Sequence, residues 1–516
     1  MKYNIITERE GLYMQNTNMK RWWILGSLSL GLIAVGLDIT ILNVALSTLA
    51  TELHASTSDL QWFVDSYNLA MAAFLLPAGM LGDRFGRKRL LLFALCLFGL
   101  ASIGCAYSNS PEILIWMRAF LGLGAAFLIP LSISILPVLF SERERTKAMM
   151  IWATANMLGI PLGPIVGGWL LEHYQWGSVF LLNLPFVVVA LAAVSWLMPE
   201  SRSPHHSKLD WLGVLTSSTG LVSITYGAIK AGEKGWSHNE VILFLAIGCF
   251  MLSVFAILEK KVKHPLVDLS LFRSRSFTFG AILATLATYA LFGLLFTLPQ
   301  YFQSVEGNDT LETGLRLLPL IGGLIVGAKS ADFLLEKIGP KSNAFIGFVF
   351  LAIGLGIGGT TQIDHPYKFI ALWITIVGIG LGLALPTAMD AALGELSAER
   401  SGVGSALIMA LRQAGGSIGV AVLGTIVNSQ YRSRIEAIQL PSQLKHIVKQ
   451  SVSTGVEAAH QIQSMQLLSS VRKAFVHGME AMLWTCCGIA ILGAILSFAF
   501  LPNQFSSKSK QRMSVH

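Results

Sequence analysis

A succession of apolar stretches of about 20 residues, parted by short charged connections, decides what this chain can fold into. The stretches run Trp22–Leu49, Leu60–Leu81, Leu90–Tyr107, Ile113–Leu139, Met149–Leu171, Ser178–Met198, Trp211–Ile229, Val241–Leu258, Phe277–Phe302, Thr313–Leu334, Ala344–Gly359, Tyr367–Ala388, Val403–Val427 and Phe475–Leu501. Lipid offers the backbone no hydrogen bonds, so segments of this length and composition cross a bilayer as helices that satisfy themselves. The expected fold is all-α and integral to the membrane, with 14 transmembrane helices. Composition agrees: 13% of residues are charged, against roughly 25% in soluble domains. The first stretch is too long for a cleaved signal peptide, and no small-residue cleavage site follows it.

Lysine and arginine mark the sides of the membrane. Basic residues recur in alternate connections: Lys20/Arg21, Arg84/Arg87/Lys88/Arg89, Arg143/Arg145/Lys147, Arg202/Lys208, Lys260/Lys261/Lys263, Lys337/Lys341 and Arg400. The first three connections of the other set hold none. Both termini are therefore expected in the cytoplasm, with residues 1–21 and 502–516 as tails. The basic segment 428–473 falls outside by this count; long loops escape the charge rule. Its pattern of Leu444, Ile447, Val448 and Val452 reads as one amphipathic surface helix over the outer mouth.

The chain also repeats itself. Leu335-Glu336-Lys337-Ile338-Gly339-Pro340-Lys341 aligns with Gly82-Asp83-Arg84-Phe85-Gly86-Arg87-Lys88, acid, base, apolar residue, glycine and lysine in register. Two six-helix halves follow, 22–198 and 276–501, joined by a linker with a helical hairpin over 199–275.

Soluble chemistry is disfavoured. The net charge of +8 comes from loops alternating with apolar spans, not from a nucleic-acid-binding face. The five cysteines lie inside apolar segments and no CxxC or His/Cys ligand spacing occurs, so neither disulfides nor a metal site are indicated. Eleven histidines are scattered, His205/His206 among them in a hydrophilic linker. A polytopic membrane enzyme would need them clustered. With no GxxxxGK[ST] loop, ATP is not the expected fuel.

The connection Gly79-Met80-Leu81-Gly82-Asp83-Arg84-Phe85-Gly86-Arg87-Lys88-Arg89 allows a tight reversal and keeps a cationic cluster in water. That much fits any topology-setting loop. The residue order, however, resembles the G-x-L-x-D-R-x-G-R-K signature of the major facilitator superfamily. The resemblance implies two pseudo-symmetric bundles around a central cavity. It also implies a gating loop of Gly79, Asp83, Arg84, Gly86, Arg87 and Lys88.

Three further stretches carry chemistry. Leu37-Asp38-Ile39-Thr40-Ile41-Leu42-Asn43-Val44-Ala45-Leu46 places an acid somewhat past mid-depth of the first span, where charge is costly and usually functional. It resembles the L-D-x-T-x-x-N-V-A-L-P signature of drug:proton antiporters, with Ser47 in place of the usual proline. The alternative is a structural carboxylate neutralised by an arginine. Arg118, in Arg118-Ala119-Phe120-Leu121-Gly122-Leu123-Gly124, lies at broadly the same depth, so a pair is feasible. Arginine keeps its proton and would tune the acid: close by it favours the carboxylate, and when it withdraws, burial favours the acid form. The string Gly159-Ile160-Pro161-Leu162-Gly163-Pro164-Ile165-Val166-Gly167-Gly168 is at least a close-packing face, with prolines able to kink it. It also resembles the G-x-x-x-G-P-x-x-G-G antiporter motif of exporters, a leak-sealing hinge.

Trp62-Phe63-Val64-Asp65-Ser66-Tyr67, Asp210-Trp211-Leu212-Gly213 and Arg412-Gln413-Ala414-Gly415-Gly416-Ser417 extend the likeness to the fourteen-span drug:proton antiporters, notably quaternary-ammonium exporters. That resemblance implies a proton-coupled multidrug efflux antiporter, not an enzyme, in a bacterial-type cytoplasmic membrane. It would act as a monomer on small lipophilic cations, among membrane lipids, with the proton as coupling ion and no cofactor. A dedicated exporter of one metabolite or antibiotic is the alternative. Asp65, Asp390 and Arg412 complete the candidates for substrate contact or cation attraction. Asp65 equally fits a helix-end carboxylate in water, Asp390 and Glu395 fit solvated loop charges, and Arg412, not an acid, stands at mid-depth of its span.

Overall fold

The computed structural model describes residues 2–140, 142–201, 210–262, 265–394 and 398–503; the side chains of 1–19 and of scattered positions, Asp83, Pro161 and Glu336 among them, lie outside that description. So do two expected features, Glu395 and the His205/His206 linker.

The chain is built from long helices: α1 Lys2–Glu52, α2 Thr57–Phe85, α3 Arg87–Ala106, α4 Pro111–Ser134, α5 Glu142–His173, α6 Ser178–Leu197, α7 Trp211–Lys234 and α8 Asn239–Lys261. The second part holds α9 Arg275–Val305, α10 Thr310–Leu335, α11 Lys337–Gly358, α12 Tyr367–Leu393, α13 Ala398–Glu436 and α14 Met465–Phe500. Among the described residues, 13 helices are long and apolar enough to cross a membrane. The expected fifth span, Met149–Leu171, falls in α5, several of whose side chains are undescribed, and the count of fourteen rests on it.

Helix starts are written in capping residues, which accept the orphan N–H groups of a first turn. Ser56 and Asp59 form a reciprocal capping box at α2. Ser110, Asp210, Ser274 and Ser464 do the same work, one-sidedly, for α4, α7, α9 and α14. The repeated seven-residue segments turn on equivalent glycines. Gly86 (φ 111°) breaks α2 from α3, and Gly339 (φ 77°) kinks the chain within the first turn of α11.

The helices sort into two groups. In the first, α1 packs on α5 and α6, α2 on α4, and α3 on α4 and α6. In the second, α12 lies against both α10 and α11, with Gly323 and Gly327 of one and Gly347 and Gly354 of the other set close to its backbone. There α9 packs on α12, α13 and α14. The hairpin α7–α8 is attached through α7, which touches α2 and α13; Thr425 Oγ1 donates to the Ala228 carbonyl at 2.8 Å. Its other helix, α8, presents Leu243, Phe250 and Ile257 outward, the lipid-facing surface of a membrane helix.

The expected outer segment differs from its sequence reading. Helices α13 and α14 run far into 428–473, leaving 437–464 between them. Two short helices, Ser442–Val448 and Val452–Gln461, replace the single amphipathic one. Ser451 breaks the run by capping the second of them, its Oγ accepting from Thr454 N. Val448 and Val452 are buried as the pattern required, whereas Ile447 is 45% exposed. The turn between them rests on the first group, with Thr57 N donating to Gln450 O at 2.8 Å.

Candidate functional site

Asp38 of α1 and Arg118 of α4 meet as an ion pair with essentially no exposure, 0% and 1%. Arg118 Nη1 donates to Asp38 Oδ2, Nε donates to the Phe63 carbonyl at 2.9 Å, and the guanidinium lies 4.5 Å over the Tyr67 ring. The partners of Arg118 thus come from α2 as well as α1. Such a pair is stable only when nearly every donor and lone pair is used. Asn183 of α6 adds a longer contact to Asp38 Oδ1 at 3.5 Å and is itself bonded to Ser102 Oγ at 3.1 Å.

The glycines of α5 clamp the helix that carries this acid. A Cβ on Gly159 would stand 2.6 Å from the backbone of Gly36 and Leu37. Gly163 abuts Thr40, Gly167 abuts Ile41, and Gly168 abuts the backbone of Thr310 and Leu311 at the start of α10. Pro164 offers its carbonyl side to Gly314, while the Pro161 side chain is outside the description. The segment stays helical through both prolines. What the string supplies is close approach of α1, one to two residues before Asp38 and two to three residues after it.

Asp65 requires a correction. It is 0% exposed, not a helix-end carboxylate in water. The capping box starts α2 at Thr57, so Asp65 lies two turns inside, and Ser417 Oγ of α13 donates to its Oδ1 at 2.9 Å. Among the described residues its Oδ2 has no hydrogen-bond partner. Asp38 is therefore not the sole buried acid of the spans. One turn nearer the end, Gln61 Nε2 donates to the carbonyls of Val420 and Ala421 at 3.0 and 2.9 Å. With Gln303 to Val44 O (2.8 Å) and Thr310 to Gly168 O (3.0 Å), these bonds join the two helix groups. They lie toward the Glu52 end or, for Gln413 on the Met71 sulfur at 3.4 Å, at mid-depth. Among the described residues none lies nearer the Gly86 end.

At that end the basic loop is strapped to its own group. Glu200, just past α6, accepts from Lys88 N at 3.1 Å and approaches Arg89 Nε at 3.7 Å. It serves α3 as an N-cap in trans, because Gly86 has no side chain to do so. Arg87 N donates to Ser201 O at 3.0 Å and Lys88 Nζ to Ser195 O at 2.8 Å. Arg84 is exposed over Phe85. Gly79 packs loosely, with a Cβ there meeting only Pro130 at 3.9 Å. The Asp83 side chain is outside the description. In the second group Gly339 abuts the carbonyl of Asn503, three residues past α14, as Glu200 lies three residues past α6. Of the remaining candidates, Asp390 is exposed on α12, and Arg412 of α13 contacts Thr288 and Met389. Neither joins the Asp38 site.

Gly86→Ala is expected to cost roughly 1–3 kcal/mol, since it forces a side chain to positive φ, 2.7 Å from Glu200 Oε1. Gly79→Ala should be near neutral. Thermal melts of the two purified variants check this, and equal melting points would remove Gly86 from the strap.

Two groups of membrane helices, one of them enclosing a buried acid–base pair whose α1 is held close to α5 by glycines, define a polytopic transporter. The Major Facilitator Superfamily model matches residues 28–420, and the chain belongs to that superfamily. Relatives include the tetracenomycin C resistance and export protein of Streptomyces glaucescens, 32% identical over 79% of this chain and 76% of its own. The multidrug efflux pump LfrA of Mycolicibacterium smegmatis is 31% identical over 90% and 93%. The methyl viologen resistance protein SmvA of Salmonella typhimurium is 30% identical over 92% and 97%. Among solved structures, a bacterial homologue of the lysosomal transporter Spinster superposes with a TM-score of 0.67 at 16% identity, covering 94% of this chain and 99% of that one. The D-xylose-proton symporter gives 0.61 at 15%, covering 93% and 98%. At such identities they speak to the fold.

Proposed function

We propose that this chain is a proton-coupled efflux antiporter that exports lipophilic, cationic drugs across a bacterial cytoplasmic membrane as a monomer. Its two six-helix bundles alternate access, α7–α8 is an insert, and both termini and the Gly86 loop face the cytoplasm. The observation that carries this reading is the buried Asp38–Arg118 pair, held beside the glycine face of α5. Drug resistance and export in the names of the relatives support the outward direction.

Bonds between the groups at the Glu52 end fit a state closed to the outside. Opening that side parts α2 from α13, exposes Asp65, and loosens Arg118 from Asp38. Burial without its counter-ion then favours the protonated acid; return of Arg118 expels the proton inward. One charge moved through 100 mV supplies about 2.3 kcal/mol, ahead of any pH gradient. The proton is the coupling ion. Asp65 and Asp390 are cation-attracting groups on the substrate side, and the loop with Asp83 latches the cytoplasmic face.

The test is collapse of an imposed pH gradient in inverted membrane vesicles on adding ethidium or a benzalkonium salt. A gradient indifferent to every cation, with the protein in the membrane, overturns the reading. It would leave the dedicated exporter, which the tetracenomycin relative favours.

A further inference from the structure

Two arginines sit within the spans in opposite circumstances. Arg118 is sealed and neutralised by Asp38. Arg412 of α13 is only partly buried, and its described partners are both uncharged: Nε donates to Thr288 Oγ1 at 3.0 Å and Nη1 to the Met389 sulfur at 3.5 Å. Thr288 gives its own proton to Ala284 O at 2.8 Å, so it serves Arg412 purely as an acceptor, and thioether sulfur is a weak one. Among the described residues no carboxylate reaches this guanidinium. An arginine cannot shed its charge, and a cation at membrane depth is costly unless it is paired or serves a pathway.

Its position favours the pathway. Gln413, the next residue, reaches Met71 of α2 in the other helix group, and Ser417 reaches Asp65. Arg412 therefore flanks the seam along which the groups meet and part. An acid, Asp65, and a base, Arg412, thus lie along that seam, offset by about 7.5 Å for five residues of helix rise. Methionines 71 and 389 beside them give adaptable apolar contact.

We propose that Arg412 is the anion-recognising side chain of the transport route, so that the exported compounds include amphiphiles bearing a carboxylate as well as a cationic centre. The carboxylate takes the free N–H groups of Arg412 while the cationic centre faces Asp65. This rests on the export reading above and widens its substrate class from cations to zwitterions.

A matched pair of dyes tests it: a rhodamine with a free benzoate, and the methyl ester of the same dye. Both are offered, with ethidium, to energised inverted vesicles of the wild type, Arg412→Gln and Arg412→Lys. The wild type should accumulate the free acid. Arg412→Gln should lower that rate by about tenfold, the worth of a charged hydrogen bond, while sparing the ester and ethidium. Arg412→Lys should keep part of it. Wild type that moves the ester but not the free acid overturns the proposal, as does an equal fall for all three dyes in Arg412→Gln, which marks a structural role. Should the variants fail to insert, the wild-type comparison of acid and ester still decides. Transport of none of the three dyes by wild type would instead bring down the export reading, and this proposal with it.

Discussion

Vesicles carrying Asp38→Asn are expected to hold an imposed pH gradient undisturbed by ethidium, while wild type collapses it. The amide keeps the shape of the carboxylate but takes up no proton in this range, so coupling should fall to background without loss of drug binding. Arg118 would lose the counter-ion of its buried guanidinium, keeping Phe63 O and the Tyr67 ring. Removing one partner of a buried pair costs about 3–5 kcal/mol, so a lowered melting temperature should accompany the lost coupling. Asp38→Glu separates the two effects: it keeps the charge and the proton, and should restore part of the coupling. Gradient collapse by Asp38→Asn at the wild-type rate would disprove proton carriage through this site.

The second large effect is expected from Gly159→Leu. A side chain there would enter the backbone of Gly36 and Leu37, which no rotamer change can avoid. Overpacking costs about 1–3 kcal/mol, a modest loss for a chain of this size. The transport defect should be far larger, because the displaced segment of α1 is the one that presents Asp38 to Arg118. Gly26→Leu, on the same membrane scale but with nothing within 4 Å of its Cβ, is the control. Proton-coupled dye efflux is measured for both. Normal efflux by Gly159→Leu would mean that close approach of α5 to α1 is dispensable.

Much of this was legible in the residues. Apolar runs give the spans because lipid leaves the backbone no alternative, and an acid in such a run stands out. The echo between 82–88 and 335–341 also held physical content, since both glycines occupy positive φ that side chains avoid. Partnerships across long separations were not legible. Asn183 is 145 residues from Asp38, and Glu200 is 112 from Lys88; nothing in either local sequence points to its partner. Asp65 was misjudged because its depth depends on where α2 begins, which the Ser56–Asp59 box sets, and on an α13 face that only tertiary packing brings up. The outer segment read as one helix because its apolar spacing is continuous, while a single serine capping its own next turn broke it in two.

Helix α7 lies astride the joint between α2 and α13, which the proposed cycle opens. The Trp62 ring of α2 lies tilted 6.2 Å from that of Tyr226, and Ala228 and Ile229 pack with Ala421 of α13, so one helix is moored to both sides of the same seam. A clamshell with such a mooring line cannot swing freely. On the proposed cycle, one of the two faces slips and seats again each time, which makes the speed of the pump partly a property of α7.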